Sequence, residues 1–181
     1  SGLEIGQGIL VNEYMETNLP HVYAAGDVAE TWDILRECPR VNAVWPNATK
    51  QGRIAALNMA GKKTAYEGSM GMNSVDFFGL RMISAGIIKM PQEGVGQEGI
   101  NQGKESTAWH VEEQEKCYPS GKFSYQYLVW QGSRLKGFVL MGDTERAGVL
   151  KAIIQSQEPL SSKLQANIRS GKRAWLRSSV S

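Results

Sequence analysis

The chain has 181 residues, a hydrophobic fraction of 41% and a formal net charge of +2. That apolar content is enough for a packed core in one domain or two small ones. The near-balanced charge lacks the strongly basic face of a nucleic-acid or membrane-surface binder, so neither is expected as a partner. Cys38 and Cys117 stand far apart, outside C-x-x-C or metal-ligand spacing, which argues against a disulfide framework and for a reducing, cytoplasmic setting. No basic-then-apolar leader and no apolar run of about 18 residues is visible, and residues 1–8 read as the interior of something longer.

In chain order, "GQGILVNEYMETNLPHVYAAGD" predicts a strand over 9–11, a polar connection, and a second strand over 21–25 closed by Gly26. The small apolar residues of 21–25 suggest a fully covered, parallel-type strand. An ionised Asp27 at its end then requires a hydrogen-bonding partner, for which a hydroxylated ligand is suited. Residues 28–44 are mixed and broken by Pro39. "WPNATKQGRIAALNMAG" predicts a helix over 46–60, with Pro46 in the first turn and Gly61 as the stop. Ala48, Gly52, Ala55 and Met59 form a stripe of mostly small side chains, with Lys50 and Arg53 elsewhere. A mid-helix Gly costs about 1 kcal/mol relative to Ala, so Gly52 suggests that another backbone or a flat ligand passes near.

The polar stretch "KKTAYEGSMGMNS" reads as a linker with a boundary near Ser69, giving units 1–68, 69–157 and a helical basic tail over 158–181. One or two strands over 75–90, interrupted at Gly79, precede a Gly/Gln loop over 91–105. Strands over 107–113, 123–131 and 135–141 then form an antiparallel meander through the turns "YPSGKF" and "QGSRL". Asp143 or Thr144 caps a helix to about residue 155, and 158–170 can form another. The fold class expected is an α/β segment followed by an α+β domain with an antiparallel sheet.

Several motifs reduce to ordinary structure. "GVGQEG" (94–99) has dinucleotide-loop spacing, but "INQGKES" follows it with no helical periodicity, so a hairpin loop is preferred. Phe123, Tyr125 and Tyr127 share a strand face without interleaved Lys or Arg, which favours core or interface packing over base stacking. His21 and His110 lack ligand or triad partners and read as surface or strand residues. Cys38 and Cys117 default to small buried hydrophobes. The run from Leu160 carries Lys163, Arg169, Lys172, Arg173 and Arg177 without an acid, a solvated tail by default. Its alternative is a docking segment for an acidic partner or another part of the molecule, anchored by Trp175 and Leu176.

Together, "TNLPHVYAAGD" and "WPNATKQGRIAALNMAG" resemble the second flavin-binding region of the FAD-dependent pyridine nucleotide-disulfide oxidoreductases. "GMNSVDFFGLRMISAG" is similar to the branch of nitrite reductase large subunits, rubredoxin reductases and NADH oxidase-like proteins. The likeness covers residues 2–148. It implies that Asp27 accepts a hydrogen bond from a ribityl hydroxyl of FAD and that Gly26 lets the backbone approach the flavin tail. It also implies that the helix start at Trp45, Pro46, Asn47 and Ala48 faces the pyrimidine edge of the isoalloxazine ring. The plain alternative makes Asp27 a cap or turn residue and Trp45 a core residue.

The family's N-terminal ADP-binding unit and its NAD(P)H domain have no counterpart in these residues, and neither does the His-Pro-Thr and Glu signature of the disulfide-reductase interface domain. The resemblance therefore implies the C-terminal part of an enzyme that passes a hydride from NAD(P)H to FAD and electrons to an unknown acceptor. This chain alone is expected to be inactive and to hold FAD incompletely. Its expected partners are the absent N-terminal FAD/NAD(P)H-binding portion and the acceptor, with a homodimer open. The competing class is a non-enzymatic assembly module built on 75–155.

Overall fold

The structure, a computed structural model, describes residues 2–89, 108–118 and 120–171. The described residues form two units that divide between Gly71 and Met72. The first contains β1 (Ile9–Leu10), β2 (Ala29–Asp33), β3 (Cys38–Arg40) and the helix α1 (Trp45–Met59). β1 pairs parallel with β2 through Ile9 opposite Ala29, and β2 pairs antiparallel with β3 through Trp32 opposite Pro39. Residues 28–44 thus hold a hairpin that the broken pattern around Pro39 conceals. α1 begins at Trp45, with Pro46 in its first turn where a missing N–H costs nothing, and ends before Gly61 as expected.

Residues 21–25 do not form the expected strand. His21 sits in a turn at φ 63°, and only Tyr23 makes a bridge, to Glu16. The Ala24 N–H donates to the Met15 carbonyl and the Thr17 N–H to that of Val22, which occupies one edge, while no ladder forms on the other among the described residues. Nor is the segment fully covered: Ala24 packs in a core with Met15, Ala29, Ile54, Ala55 and Tyr66, whereas His21 and Val22 are exposed and Tyr23 and Ala25 half-buried. Both pairing and cover depend on neighbours elsewhere in the chain.

The second unit is a five-stranded antiparallel sheet in the order β4-β5-β8-β7-β6, formed by β4 (Met72–Phe77), β5 (Leu80–Gly86), β6 (Trp109–Cys117), β7 (Phe123–Gln131) and β8 (Arg134–Met141). The two helices are α2 (Ala147–Ser156) and α3 (Ser162–Ser170). The meander is as read from the turns, and β4 and β5 are the two strands divided at Gly79. Phe123, Tyr125 and Tyr127 share a face, but only half-buried. The packed residues are on the other alternation, where Leu128 lies opposite Phe138 and Gln126 opposite Leu140. A bulge between Val129 and Trp130 then buries both of those side chains.

Neither Asp143 nor Thr144 caps α2. Its N-cap is Arg146, and residues 144–147 close a turn ahead of it. The physical reason is that the Arg146 side chain serves the far end of α3. Arg146 Nη1 donates to the Ile168 carbonyl (3.2 Å), Gln126 Nε2 to that of Arg169 (3.2 Å) and Lys116 Nζ to that of Ser170 (3.4 Å). Arg146 Nη2 also donates to Gln126 Oε1. The Ile168 carbonyl also accepts from the C-cap Gly171 N–H (3.3 Å), and the last-turn carbonyls together carry the negative end of the helix dipole, which two cations and an amide here oppose.

Residues 162–170 are therefore a packed helix and not a solvated tail. Ser161 caps its start, Ile168 is fully buried, and the Arg169 guanidinium lies 5.4 Å from the Trp130 ring while Nε bonds Glu112 (2.7 Å). His110 stacks on the same indole at 6.3 Å. Cys117 is exposed, contrary to the expected buried hydrophobe, because it ends the edge strand β6. "GVGQEG" and residues 172–181, with Trp175 and Leu176, lie outside the described residues.

Replacing Arg146 by Met removes the donor to a buried carbonyl and to Gln126. We expect a loss of about 2–4 kcal/mol, against about 0.5 kcal/mol for Lys116→Met, whose contact is longer and less buried, as read from urea midpoints.

Candidate functional site

The start of α1 is open. Its N-cap, Val44, is extended (φ −142°, ψ 142°) and supplies no side-chain cap, and no acidic residue lies in the first turn. Pro46 carries no N–H, and the Asn47 and Ala48 N–H groups donate to the Val44 carbonyl (3.0 and 3.1 Å), so what this helix start offers an acceptor is chiefly the positive end of its dipole. Trp45 is 84% exposed, which excludes a core role within this unit. Asn47 is anchored: its Nδ2 donates to the carbonyls of Asn42 (3.1 Å) and Met70 (3.3 Å), fixing the loop that leads into the helix.

Gly26 and Asp27 lie beside this helix. Gly26 adopts φ +84°, a region that costs other residues about 1–2 kcal/mol, and a Cβ built on it would lie 3.6 Å from that of Ala48. Its N–H donates to Gln51 Oε1 at 2.8 Å, and its carbonyl accepts from the Ala29 N–H at 3.0 Å. Asp27 is exposed at the corner of this turn, so the desolvation that a strand-end carboxylate would suffer does not arise. It leads into β2 and caps no helix. All six residues singled out by sequence, Gly26, Asp27, Trp45, Pro46, Asn47 and Ala48, belong to this turn and the adjoining helix start.

Gln51 escaped the sequence reading. It is 1% exposed and begins a buried polar chain: Nε2 donates to Thr31 Oγ1 (3.4 Å), Thr31 Oγ1 to Ser69 Oγ (3.2 Å), and Asn42 Nδ2 to both Ser69 Oγ (2.8 Å) and Asp33 Oδ2 (2.9 Å). Asp33 is fully buried and also accepts from the Leu35 and Arg36 N–H groups and from Arg36 Nη1. The available signal was position: at 100° per residue Gln51 falls on the arc of Ile54, Ala55 and Asn58, where a polar side chain must find buried partners.

The small stripe divides. Ala55 is buried and Ala48 half-buried, whereas Gly52 and Met59 face outward, and no atom lies within 4 Å of a Cβ built on Gly52. No backbone passes near Gly52 among the described residues, which removes the first of the two expected neighbours, a backbone or a flat ligand. Trp45, Thr49, Gly52, Ala56 and Met59 instead form an exposed, uncharged line along α1. Among the described residues no group of three or more His, Cys, Asp or Glu is placed to hold a metal ion, and no helix is long and apolar enough to cross a membrane.

The fold, a short mixed sheet followed by a five-stranded antiparallel sheet, is shared with solved FAD- and NAD-linked oxidoreductases. The chain superposes on an NAD-dependent persulfide reductase from A. fulgidus with TM-score 0.71 and 22% identity, over 94% of this chain and 36% of that one. For reduced Bacillus anthracis CoADR-RHD the TM-score is 0.70 at 22% identity, over 94% and 35% of the two chains.

Residues 1–52 match the family described as pyridine nucleotide-disulphide oxidoreductase, and that segment of the chain belongs to it. It is 30% identical over 170 residues to Nitrite reductase [NAD(P)H] of Bacillus subtilis (strain 168), covering 93% of this chain and 18% of that protein. The likeness thus runs beyond the 2–148 expected. It is 38% identical over 96 residues to the NADH-dependent phenylglyoxylate dehydrogenase subunit epsilon of Aromatoleum evansii, covering 52% and 23%. The chain spans less than a quarter of the length of either relative.

Burial raises the Tyr66 pKa above the ordinary 10.0, with the neighbouring Gln51 amide offsetting part of the effect. The phenol is therefore held neutral in the folded state. Its contribution is complete below pH 10 and is lost as pH rises through the higher folded value, because the unfolded chain ionises first. Tyr66→Phe is expected to flatten the alkaline limb of a stability-pH curve measured by urea unfolding between pH 8 and 11.5.

Proposed function

We propose that this chain is the C-terminal part of an FAD-dependent NAD(P)H oxidoreductase, with the closing segment of the flavin domain followed by an interface-type α+β unit. The observation that carries the reading is the contact of the Gly26–Asp27 turn with α1, made by the Gly26 N–H donating to Gln51 Oε1 at 2.8 Å. Asp27, the next residue, is exposed, and α1 has no side-chain cap at its start.

These residues suit the flavin. Asp27 would accept a hydrogen bond from a ribityl hydroxyl, and Gly26 would admit close backbone approach. Trp45, Pro46, Asn47 and Ala48 would form the helix start at the pyrimidine edge, where the dipole favours negative charge. When bound, FAD supplies the hydride and electron chemistry, with NAD(P)H as donor. The exposed, uncharged line from Trp45 to Met59 suits cover by the N-terminal remainder of such a flavoprotein. The isolated chain, with a partial grip on the cofactor, is inactive on this reading.

The test is the protein expressed from its whole reading frame. It should purify yellow with an oxidised flavin spectrum, and a colourless product that takes up no added FAD would overturn the reading. Asp27→Ala, which removes a charge-assisted hydrogen bond, should weaken FAD binding by about 10- to 100-fold in a fluorescence-quenching titration.

A further inference from the structure

Asp27 is carried on a frame anchored on both sides. The 25–26 peptide is fixed by the Gly26 N–H donating to Gln51 Oε1 (2.8 Å), and the 26–27 peptide by the Gly26 carbonyl accepting from Ala29 N–H (3.0 Å). The first anchor belongs to α1, whose start forms the other half of the site. Gln51 lies six residues into a helix beginning at Trp45, about 9 Å along its axis. One side chain thus ties the Asp27 corner to α1 by a direct hydrogen bond, beside the packing of Ala24 on Ile54 and Ala55.

The direction of that side chain is also determined. Ser69 Oγ donates to the Trp32 carbonyl (3.3 Å), so towards Thr31 it acts as acceptor, and the Thr31 hydroxyl proton is committed to it. Thr31 Oγ1 is then left to accept, which requires the Gln51 NH2 to face Thr31 and the Gln51 carbonyl to face Gly26. The order is held at its far end by Asn42 and by the buried Asp33. Within this polar chain an amide suits position 51, and leucine, of similar size, serves neither end.

We infer that Gln51 is a positioning residue for the flavin, holding the Gly26–Asp27 turn at a fixed separation from the start of α1 so that one ligand engages both. This rests on the flavin reading above. A ligand held at two points binds well only when their spacing is preorganised, so release of one anchor is felt as lost affinity.

The test compares wild type, Gln51→Leu, Gln51→Glu and Ile54→Val in the protein expressed from the whole reading frame. FAD affinity is read by fluorescence quenching, Gly26 amide exchange by NMR and unfolding by urea. Gln51→Leu should raise the FAD Kd and speed Gly26 exchange by at least about tenfold each. Gln51→Glu keeps an acceptor for Gly26 but, when ionised, has no donor for Thr31, so it should recover part of both. Ile54→Val, a general loss of packing on the same helix face, should leave the Kd within about twofold. Wild-type FAD affinity with a Gln51→Leu Kd within about twofold of it overturns the inference while sparing the flavin reading. A Gln51→Glu that protects the Gly26 amide yet binds FAD as poorly as Gln51→Leu also overturns it. Absence of FAD binding by wild type removes the flavin reading and this inference with it.

Discussion

A neutral amide, Gln51, ties the first unit together at the point where its two informative stretches meet. The Gly26 N–H, in a tight turn, is met by the Gln51 side-chain carbonyl oxygen, and an unmet donor near a packed interior costs about 1–3 kcal/mol. Satisfying it from α1 makes the helix and the turn one body, and the chain through Thr31, Ser69 and Asn42 extends that body to the β2–β3 hairpin. Networks of this kind are stabilising when every member is satisfied and damaging when one is removed. Orientation here follows from proton counting: each hydroxyl has one proton to give, and the direction of each bond fixes the next.

The second unit solves a different problem by similar means. α3 ends against the sheet with three carbonyls facing Arg146, Gln126 and Lys116. Cations at a helix C-terminus oppose its dipole as well as satisfying its acceptors. The hollow bordered by Gln114, Lys116, Tyr125, Gln126 and Arg146 is thus the socket of a helix end, its positive groups already engaged. The basic character that suggests a solvated tail in sequence is partly spent inside the fold, with Arg169 set against Glu112 and Trp130.

Much of this was legible. The bounds of α1 follow from Pro46 and Gly61, the meander from its turn residues, and the grouping of Gly26 and Asp27 with the helix start from the order of two motifs. The hairpin around Pro39 was not legible, because proline breaks the local pattern while its pairing with Trp32 is settled by the partner strand. Nor was the start of α2, since Asp143 and Thr144 are good caps in isolation but the chain turns there to send Arg146 towards α3. Gln51 was overlooked among the apolar residues of its helix because its value lies in partners 20 and 25 positions earlier.

Sequence by itself determined the local elements with strong signals: the proline-led helix, the glycine that admits a positive φ at residue 26, and the strand alternation of β7. These depend on steric preferences of a few adjacent residues. Tertiary structure alone decided that residues 21–25 stay unpaired as a ladder, that the face of β7 bearing Leu128 is the packed one, and that Arg146 and Gln51 serve distant backbone groups. Those outcomes depend on which donor finds which acceptor across the fold, and hydrogen-bond partners separated by tens of residues leave no periodicity in the chain.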